Sequence, residues 1–337
     1  MTWHLVTTDF PPRGGGVATW AYGVAAALHA AGEPVLVHAR DTTGAEPFPV
    51  VRMVGRSWAR WGGWWAAASV IPRLRRGDRV VSATWPTATH LIGATRRIGV
   101  PLLVGWHGSD LTRRPLVAGI EAVKAAGIHI PVSAYLADLL GVPATVLPCP
   151  VDVEPPAVRG ERLLVVARLG PLKGVDRALR LAARLGRPIT VVGEGAAREA
   201  LEALAQDLRI ESTFTGDLPR ASIPWEGTWA LVLLSRPDDR QEPPGWQPPP
   251  GGAGQEGLGL VLLEAAARGI PSIGVRTGGI PEAASVILED PERDPVPTLP
   301  GTEAVQAWLR ARHGSARTVE ALRAVVAESR KGADLSS

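Results

Sequence analysis

The stretch Gln255–Ala283, QEGLGLVLLEAAARGIPSIGVRTGGIPEA, decides how the rest of the chain is read. Glu256 sits in a Gly-rich turn, and the apolar run that follows predicts a helix from about Leu258 to Arg268, stopped by Gly269. Pro271 to Val275 read as a short buried strand. Thr277, Gly278 and Gly279 make a second turn, and Pro281 suits the first position of another helix. The Gly257-Leu258-Gly259 turn directs backbone N–H groups and the positive end of a helix dipole at one spot, a seat for phosphate. Glu256 and Glu264 are eight residues apart, about 12 Å along a helix. One carboxylate could then serve each end of an extended ligand whose diphosphate lies between them. By itself this spacing also fits a surface helix with two solvated glutamates.

Working outward, 337 residues suit two domains of ordinary size better than one. No apolar run reaches the ~18 residues a membrane-spanning helix needs, and MTWHLVTTDF lacks the basic and apolar regions of a signal peptide. The single cysteine, Cys149, excludes an internal disulfide and a cysteine-built zinc site, which fits a cytoplasmic protein. Residues 1–150 hold 14 Lys+Arg against 8 Asp+Glu, a net of +6, while the remainder is net −3. A basic first half suits an anionic partner, although a solvated face explains it equally well.

The chain opens with a β-like run, Trp3–Thr8, then DFPPRGGG, a helix Val17–Ala31 and a strand Pro34–Ala39. This is the start of a β–α–β unit. Gly14, Gly15 and Gly16 let backbone approach a ligand, but Thr19 stands where a dinucleotide fingerprint wants Gly or Ala. Between residues 52 and 79, seven arginines interleave with Trp58, Trp61, Trp64 and Trp65. The tryptophans form either a core-facing stripe or a contact with an acceptor or membrane surface. A strand at Arg79–Ser82, a loop Thr84–Thr87 and a helix to about Arg97 precede a strand Pro101–Gly105, which delivers Trp106-His107-Gly108-Ser109-Asp110. A strand's C-terminal end is where α/β proteins keep ligands. Further strands are expected at Ile128–Val132 and Thr145–Leu147, with a helix opening at Ser133. Pro148 to Pro156 carries four prolines in nine residues and reads as the linker.

The second half repeats the theme. Strand Arg162–Ala167 leads to Arg168-Leu169-Gly170-Pro171-Leu172-Lys173-Gly174 and an amphipathic helix, Val175–Leu185. Two cations and a helix N-terminus aimed at one point can hold a diphosphate and stabilise it as it leaves. Strand Pro188–Val192, Gly193-Glu194-Gly195, a helix Ala196–Leu208, the run Thr213–Gly216 with Asp217-Leu218-Pro219, and a buried strand Trp229–Ser235 follow. The Pro/Gly-rich segment 236–254 is either a lid or a slack insertion. A weak strand Val286–Leu288 and two helices, about Thr302–Arg312 and Ala316–Ser329, complete the chain.

Taken together, the EGLGLVLLE segment with its GGIPEA turn, the Arg168-x4-Lys173 pair, the Gly193-Glu194-Gly195 turn and His107-Gly108-Ser109-Asp110 resemble the retaining GT-B glycosyltransferases, specifically glycosyltransferase family 4 (group 1). The likeness covers nearly the whole chain and is poorest at 42–80 and 236–254. It departs from the family where Cys149-Pro150 replaces Asn-Gly ahead of Val151-Asp152, and where Ala196 replaces Pro.

The resemblance implies an α/β protein of the GT-B fold, two Rossmann-like domains facing across a cleft. Residues 1–153 would form the acceptor side and 154–315 the nucleotide-sugar donor side, with 316–337 crossing back as a helix. It implies transfer of a sugar from a UDP- or GDP-sugar to a hydroxyl of a small-molecule, glycoside or lipid acceptor, with retained configuration. His107 and Glu256 would meet the transferred sugar. Gly15, Gly16, Arg168, Lys173, Gly259, Leu260 and Val261 would hold the diphosphate, Glu264 the ribose, and Leu218 would lie by the base. No cofactor and no metal is expected, since cations and amides supply the positive charge. The segment 52–79 offers a peripheral membrane contact as the alternative to a core-facing stripe, and no nucleic-acid partner is expected. The alternatives are a GT-B-fold sugar-nucleotide epimerase or hydrolase, and a non-catalytic nucleotide-sugar-binding relative.

Overall fold

The computed structural model describes residues 1–53, 58–108, 111, 117–237 and 256–334. These form two compact units, Met1–Val151 with His313–Ser337, and Asp152–Arg312. The chain thus passes from one unit to the other within the proline-rich segment and again just before its last helix.

The first unit is built on a six-stranded parallel sheet. Its strands are β1 (Trp3–Thr7), β2 (Val35–Ala39), β3 (Val50–Arg52), β4 (Arg79–Ser82), β5 (Leu102–Trp106) and β6 (Ile128–Pro131), in the order β3-β2-β1-β4-β5-β6. All five residues of β1 are buried, as expected of a central parallel strand covered on both faces. Helices α1 (Gly16–Ala30), α2 (Trp58–Val70), α3 (Trp85–Ala88), α4 (Ile92–Ile98), α5 (Val117–Ala126) and α6 (Ala134–Leu140) connect the strands. Ser133 caps α6 by accepting from the Leu136 amide at 3.2 Å, which supplies one donor's missing acceptor at the helix start.

Three sequence expectations fail here. β3 was not anticipated: it is a three-residue, half-exposed edge strand, too short to carry a period-two pattern. Thr84–Thr87 is not a loop, because Trp85 and Pro86 open α3, where proline's missing N–H costs nothing. Thr145–Leu147 is not a strand. It contributes one isolated bridge, Ala144 to His129, and backbone bonds from the Thr145 amide to His129 and from the Leu147 amide to Pro131.

A polar chain runs through the layer between this sheet and α2. Ser69 contacts His38 Nδ1 at 2.8 Å, His38 Nε2 contacts His4 Nδ1 at 3.0 Å, and His4 Nε2 lies 3.4 Å from Asp78. Asp78 also accepts from the amides of Thr2 and Arg75, at 2.7 and 2.8 Å. All four side chains are buried. Burial pushes the His38 imidazole down to about 3, and the neighbouring charges of His4 and Arg73 act the same way. Burial lowers His4 too, against the pull of the Asp78 carboxylate. Neutral imidazoles can then donate in one direction along the chain, from Ser69 to Asp78.

Of the Trp/Arg segment, Ala66, Ala67, Ser69 and Val70 face the core, whereas Trp64 is exposed and lies tilted against His90 with ring centroids 4.9 Å apart. The side chains of Trp58 and Trp61 lie outside the described residues. Arg73 and Arg75 bond backbone carbonyls of Ser69, Pro72 and Leu74, so part of this basic run finishes a helix end rather than meeting a partner.

The second unit repeats the strand order. Its sheet comprises β7 (Arg162–Val166), β8 (Ile189–Val192), β9 (Ser212–Gly216), β10 (Thr228–Leu233), β11 (Ser272–Val275) and β12 (Val286–Leu288), arranged β12-β11-β10-β7-β8-β9. The helices are α7 (Val175–Leu185), α8 (Arg198–Asp207), α9 (Leu260–Ala267), α10 (Ile280–Ala283) and α11 (Thr302–Arg312). In both units the order reverses beside the first strand, the doubly wound Rossmann pattern, which places ligands beyond the strand C-termini at that switch point. The last helix, α12 (Ser315–Asp334), packs on α1 within the first unit, with Arg323 2.7 Å from Glu33.

Candidate functional site

In the second unit the switch point lies between β7 and β10, and the loops after those two strands meet. The β7 loop runs through Arg168 and a single 3-10 turn, Pro171–Lys173, to Gly174 and α7. The chain leaving β10 crosses it: the Arg236 amide donates to the Leu172 carbonyl at 2.8 Å, and the Arg236 guanidinium grips Asp176 through two 2.6 Å bonds. Burial would raise the Asp176 carboxyl, but the Arg236 hydrogen bond and charge hold it below the usual carboxylate range. Gly174 has φ +62°, and a Cβ there would collide with the Leu234 carbonyl oxygen. Only glycine lets the two loops approach this closely.

Lys173 forms an ion pair with Glu256, and Ser235 Oγ lies 3.4 Å from the same carboxylate oxygen. Two residues separated by 83 positions are thus brought into contact, one from each predicted motif. Three residues beyond Glu256, Gly259 caps α9 in the left-handed region at φ 82°. Leu260 and Val261 occupy the first turn of α9, where amides lack intrahelical acceptors. The helix is two residues shorter at its start than the sequence suggests, because Gly257-Leu258 continue the turn: the Gly279 amide donates to the Glu256 carbonyl at 2.9 Å. Arg168 is exposed at the rim of the same loop.

Glu264 lies on α9 and is buried, 8% exposed. Burial pushes its carboxyl above the ordinary range. The guanidinium charges of Arg220 and Arg268 oppose that push, and Glu154 adds to it. Arg220 is 3.1 Å from the Glu264 carboxylate. Leu218 is half-buried two residues earlier, in the turn after β9. Sequence reasoning missed Arg220, Ser235 and the Arg236–Asp176 clamp. Each is an ordinary polar residue in a loop, and only its proximity to Leu218-Pro219, or to the end of a buried strand, marks it.

The remaining predicted residues belong to the first unit. Gly15 and Gly16 open α1 in open space beyond β1, and Gly15 takes φ 122°. His107, just past β5, packs edge-on against Trp20 with ring centroids 4.7 Å apart. Burial lowers its pKa to about 4, opposed by a hydrogen bond with the Ala83 backbone, so the imidazole is neutral at physiological pH. A Cβ on Gly105 would crowd the Ala83 carbonyl, His107 Nε2 and Trp20, at 2.9 to 3.2 Å. Ser109 and Asp110, and nearly all of the segment 236–254 read as either a lid or a slack insertion, lie outside the described residues.

Comparison with known proteins bears on this arrangement. Residues 153–285, most of the second unit, match the family described as Glycosyl transferases group 1. A GDP-mannose-dependent alpha-(1-6)-phosphatidylinositol monomannoside mannosyltransferase of Mycolicibacterium smegmatis is 28% identical over 333 residues, spanning 82% of this chain and 81% of that protein. A glycogen synthase of Mycobacterium tuberculosis is 27% identical over 342 residues, spanning 83% and 79%. Among solved structures, Anabaena HepE in complex with UDP and glucose superposes with a TM-score of 0.70 at 14% identity, over 97% of this chain and all of that one. AviGT4, a glycosyltransferase involved in avilamycin A biosynthesis, gives 0.67 at 20%, over 97% and 98%. With its two Rossmann-like units and the group 1 segment that carries the paired Lys173 and Glu256, the chain is a glycosyltransferase of the GT-B fold class.

Proposed function

We propose that the chain is a retaining, metal-independent glycosyltransferase of family 4 that moves mannose from GDP-mannose to a hydroxyl of a lipid-linked or glycoside acceptor. The observation that carries this reading is the Lys173–Glu256 pair beside Ser235, at the switch point and next to the start of α9. The bond from the sugar's anomeric carbon to the diphosphate breaks, and its electron pair stays on the diphosphate oxygen. The acceptor oxygen bonds to the same face of that carbon, and its proton leaves with the departing phosphate. Arg168, Lys173 and the Gly259–Val261 amides stabilise the growing negative charge, each well-placed donor contributing about 3 kcal/mol. Lys173 is held by Glu256 in the structure, so the bound diphosphate would share or take over that cation.

Glu264 would accept from the ribose hydroxyls and Leu218 would flank the base. Glu256 and the neutral His107 would contact the transferred sugar, with Gly15 and Gly16 near the phosphate. GDP-mannose is favoured over a UDP-sugar because the mannosyltransferase relatives, 28–29% identical, are GDP-mannose-dependent. Their phosphatidylinositol monomannoside acceptors also favour a lipid-borne one here, which suits a basic first half and the exposed Trp64. Among the described residues no helix is long and apolar enough to cross a membrane, so contact with such an acceptor would be peripheral.

The test is a titration of GDP and UDP, followed by turnover of GDP-mannose with a mannosylated lipid and NMR assignment of the product anomer. Glu264→Ala should weaken GDP binding about tenfold or more, as loss of charge-assisted hydrogen bonds does. Glu256→Ala should chiefly lower turnover. Unchanged GDP affinity in the first variant, full activity in the second, or an inverted anomer would each refute the corresponding part.

A further inference from the structure

Burial works against the task proposed for Glu264, because a carboxylate taken out of water drifts toward its neutral form. A protonated carboxyl has lost acceptor capacity, and the charge-assisted bonds to a diol go with it. The chain's answer comes from the turn after β9. Arg220 opens the 3-10 turn Arg220–Ser222 immediately after Leu218-Pro219, and its guanidinium lies 3.1 Å from Glu264 Oε1. The Arg220 side chain is 45% exposed against 10% for Glu264, so the cation sits on the water side of the buried acid.

The other charges around Glu264 have different employment. Arg268, the C-cap of α9, bonds the Glu264 backbone carbonyl at 3.1 Å, pairs with Glu154, and stacks over Trp225 at 4.9 Å. Glu154, from the segment entering the unit, acts in the opposite sense on Glu264. Among the described residues, Arg220 is thus the cation paired directly with this carboxylate.

We propose that Arg220 is a positioning residue for donor binding: its guanidinium, paired with Glu264, keeps that carboxylate ionised so that the remaining lone pairs accept the ribose hydroxyls. A carboxylate offers about four acceptor sites, so one guanidinium contact leaves room for a diol. This inference rests on the reading of Glu264 as the ribose acceptor, and its test separates the two.

GDP, with UDP in parallel, is titrated calorimetrically into the wild type, Arg220→Ala, Arg220→Lys and Glu264→Gln between about pH 6 and about pH 8.5. The wild type sets the reference profile, which carries the titration of the nucleotide's own terminal phosphate at about pH 6. Glu264→Gln should bind weakly at every pH. Relative to the wild type at the same pH, Arg220→Ala should come closest in affinity at the alkaline end and lose affinity progressively toward the acid end, since a buried carboxyl without its cation holds a proton to higher pH. Arg220→Lys, which keeps the charge, should fall between. If Glu264→Gln is impaired while Arg220→Ala keeps the wild-type affinity and profile, the inference falls and the Glu264 reading stands. An Arg220→Ala loss that is equal at every pH, or a gain in affinity, also overturns it. Glu264→Gln binding as the wild type does, or no binding of either nucleotide to the wild type, overturns the reading beneath it.

Discussion

In the first unit the glycines that open α1 stand in open space: a Cβ at Gly14, Gly15 or Gly16 would meet nothing within 4 Å. In the second, Gly174 opens α7 under the Leu234 carbonyl, where any side chain collides. The same strand order therefore serves two designs. The second unit has its candidate site locked by backbone contact, by the Arg236–Asp176 clamp and by the Lys173–Glu256 pair. The first unit locks its interior instead, through the Ser69–His38–His4–Asp78 chain beneath the sheet, and leaves open space at its loop glycines. A loop fixed by its own neighbours is ready for a ligand before one arrives, whereas glycines facing open space keep room for something to come close.

The largest effect expected from this contrast is on Gly174. Gly174→Ala combines a left-handed backbone with a clash against a main-chain oxygen, and should cost on the order of 4 kcal/mol of stability. Thermal or urea unfolding measures it, and a loss under about 1 kcal/mol would mean the two loops are not locked.

The polar chain of the first unit comes next. Unfolded His38 takes a proton near its ordinary 6.5, whereas the folded residue does so only near 3. Its stability contribution is therefore fully present above pH 6.5 and lost as pH falls between those values. The slope is up to about 1.4 kcal/mol per pH unit for one proton. His4 acts in the same direction. His38→Gln should cost about 1–2 kcal/mol at neutral pH through the broken hydrogen bonds and should flatten the acid slope. Stability profiles of wild type and variant that stay parallel from pH 7 down to about pH 4 would remove this chain from the comparison.

Gly16→Ala should do least to folding. Gly16 begins α1 with ordinary helical backbone, so alanine should leave stability unchanged or raise it by about 0.5 kcal/mol. Turnover should nonetheless fall, because a methyl group fills space that the proposed phosphate approach uses. Unaltered turnover would make these glycines structural only.

The sequence alone determined the strand–loop–helix succession of both units, since β1, β4, β5, β7, β10 and β11 are apolar runs between Gly- and Pro-rich breaks. It also marked Arg168, Lys173, Glu256, Gly259 and Glu264 as a set, through the resemblance of their motifs to a known family. What it could not carry is partnership. That Lys173 meets Glu256 across 83 positions, that Arg220 pairs with Glu264, and that Arg236 clamps Asp176 follow from how parallel strands bring distant loops to one end of a sheet. Likewise, three-residue β3 and the buried histidine chain owe their form to the layers packed around them. Local pattern reports which face a residue shows; only the closed sheet decides which charge it finds there.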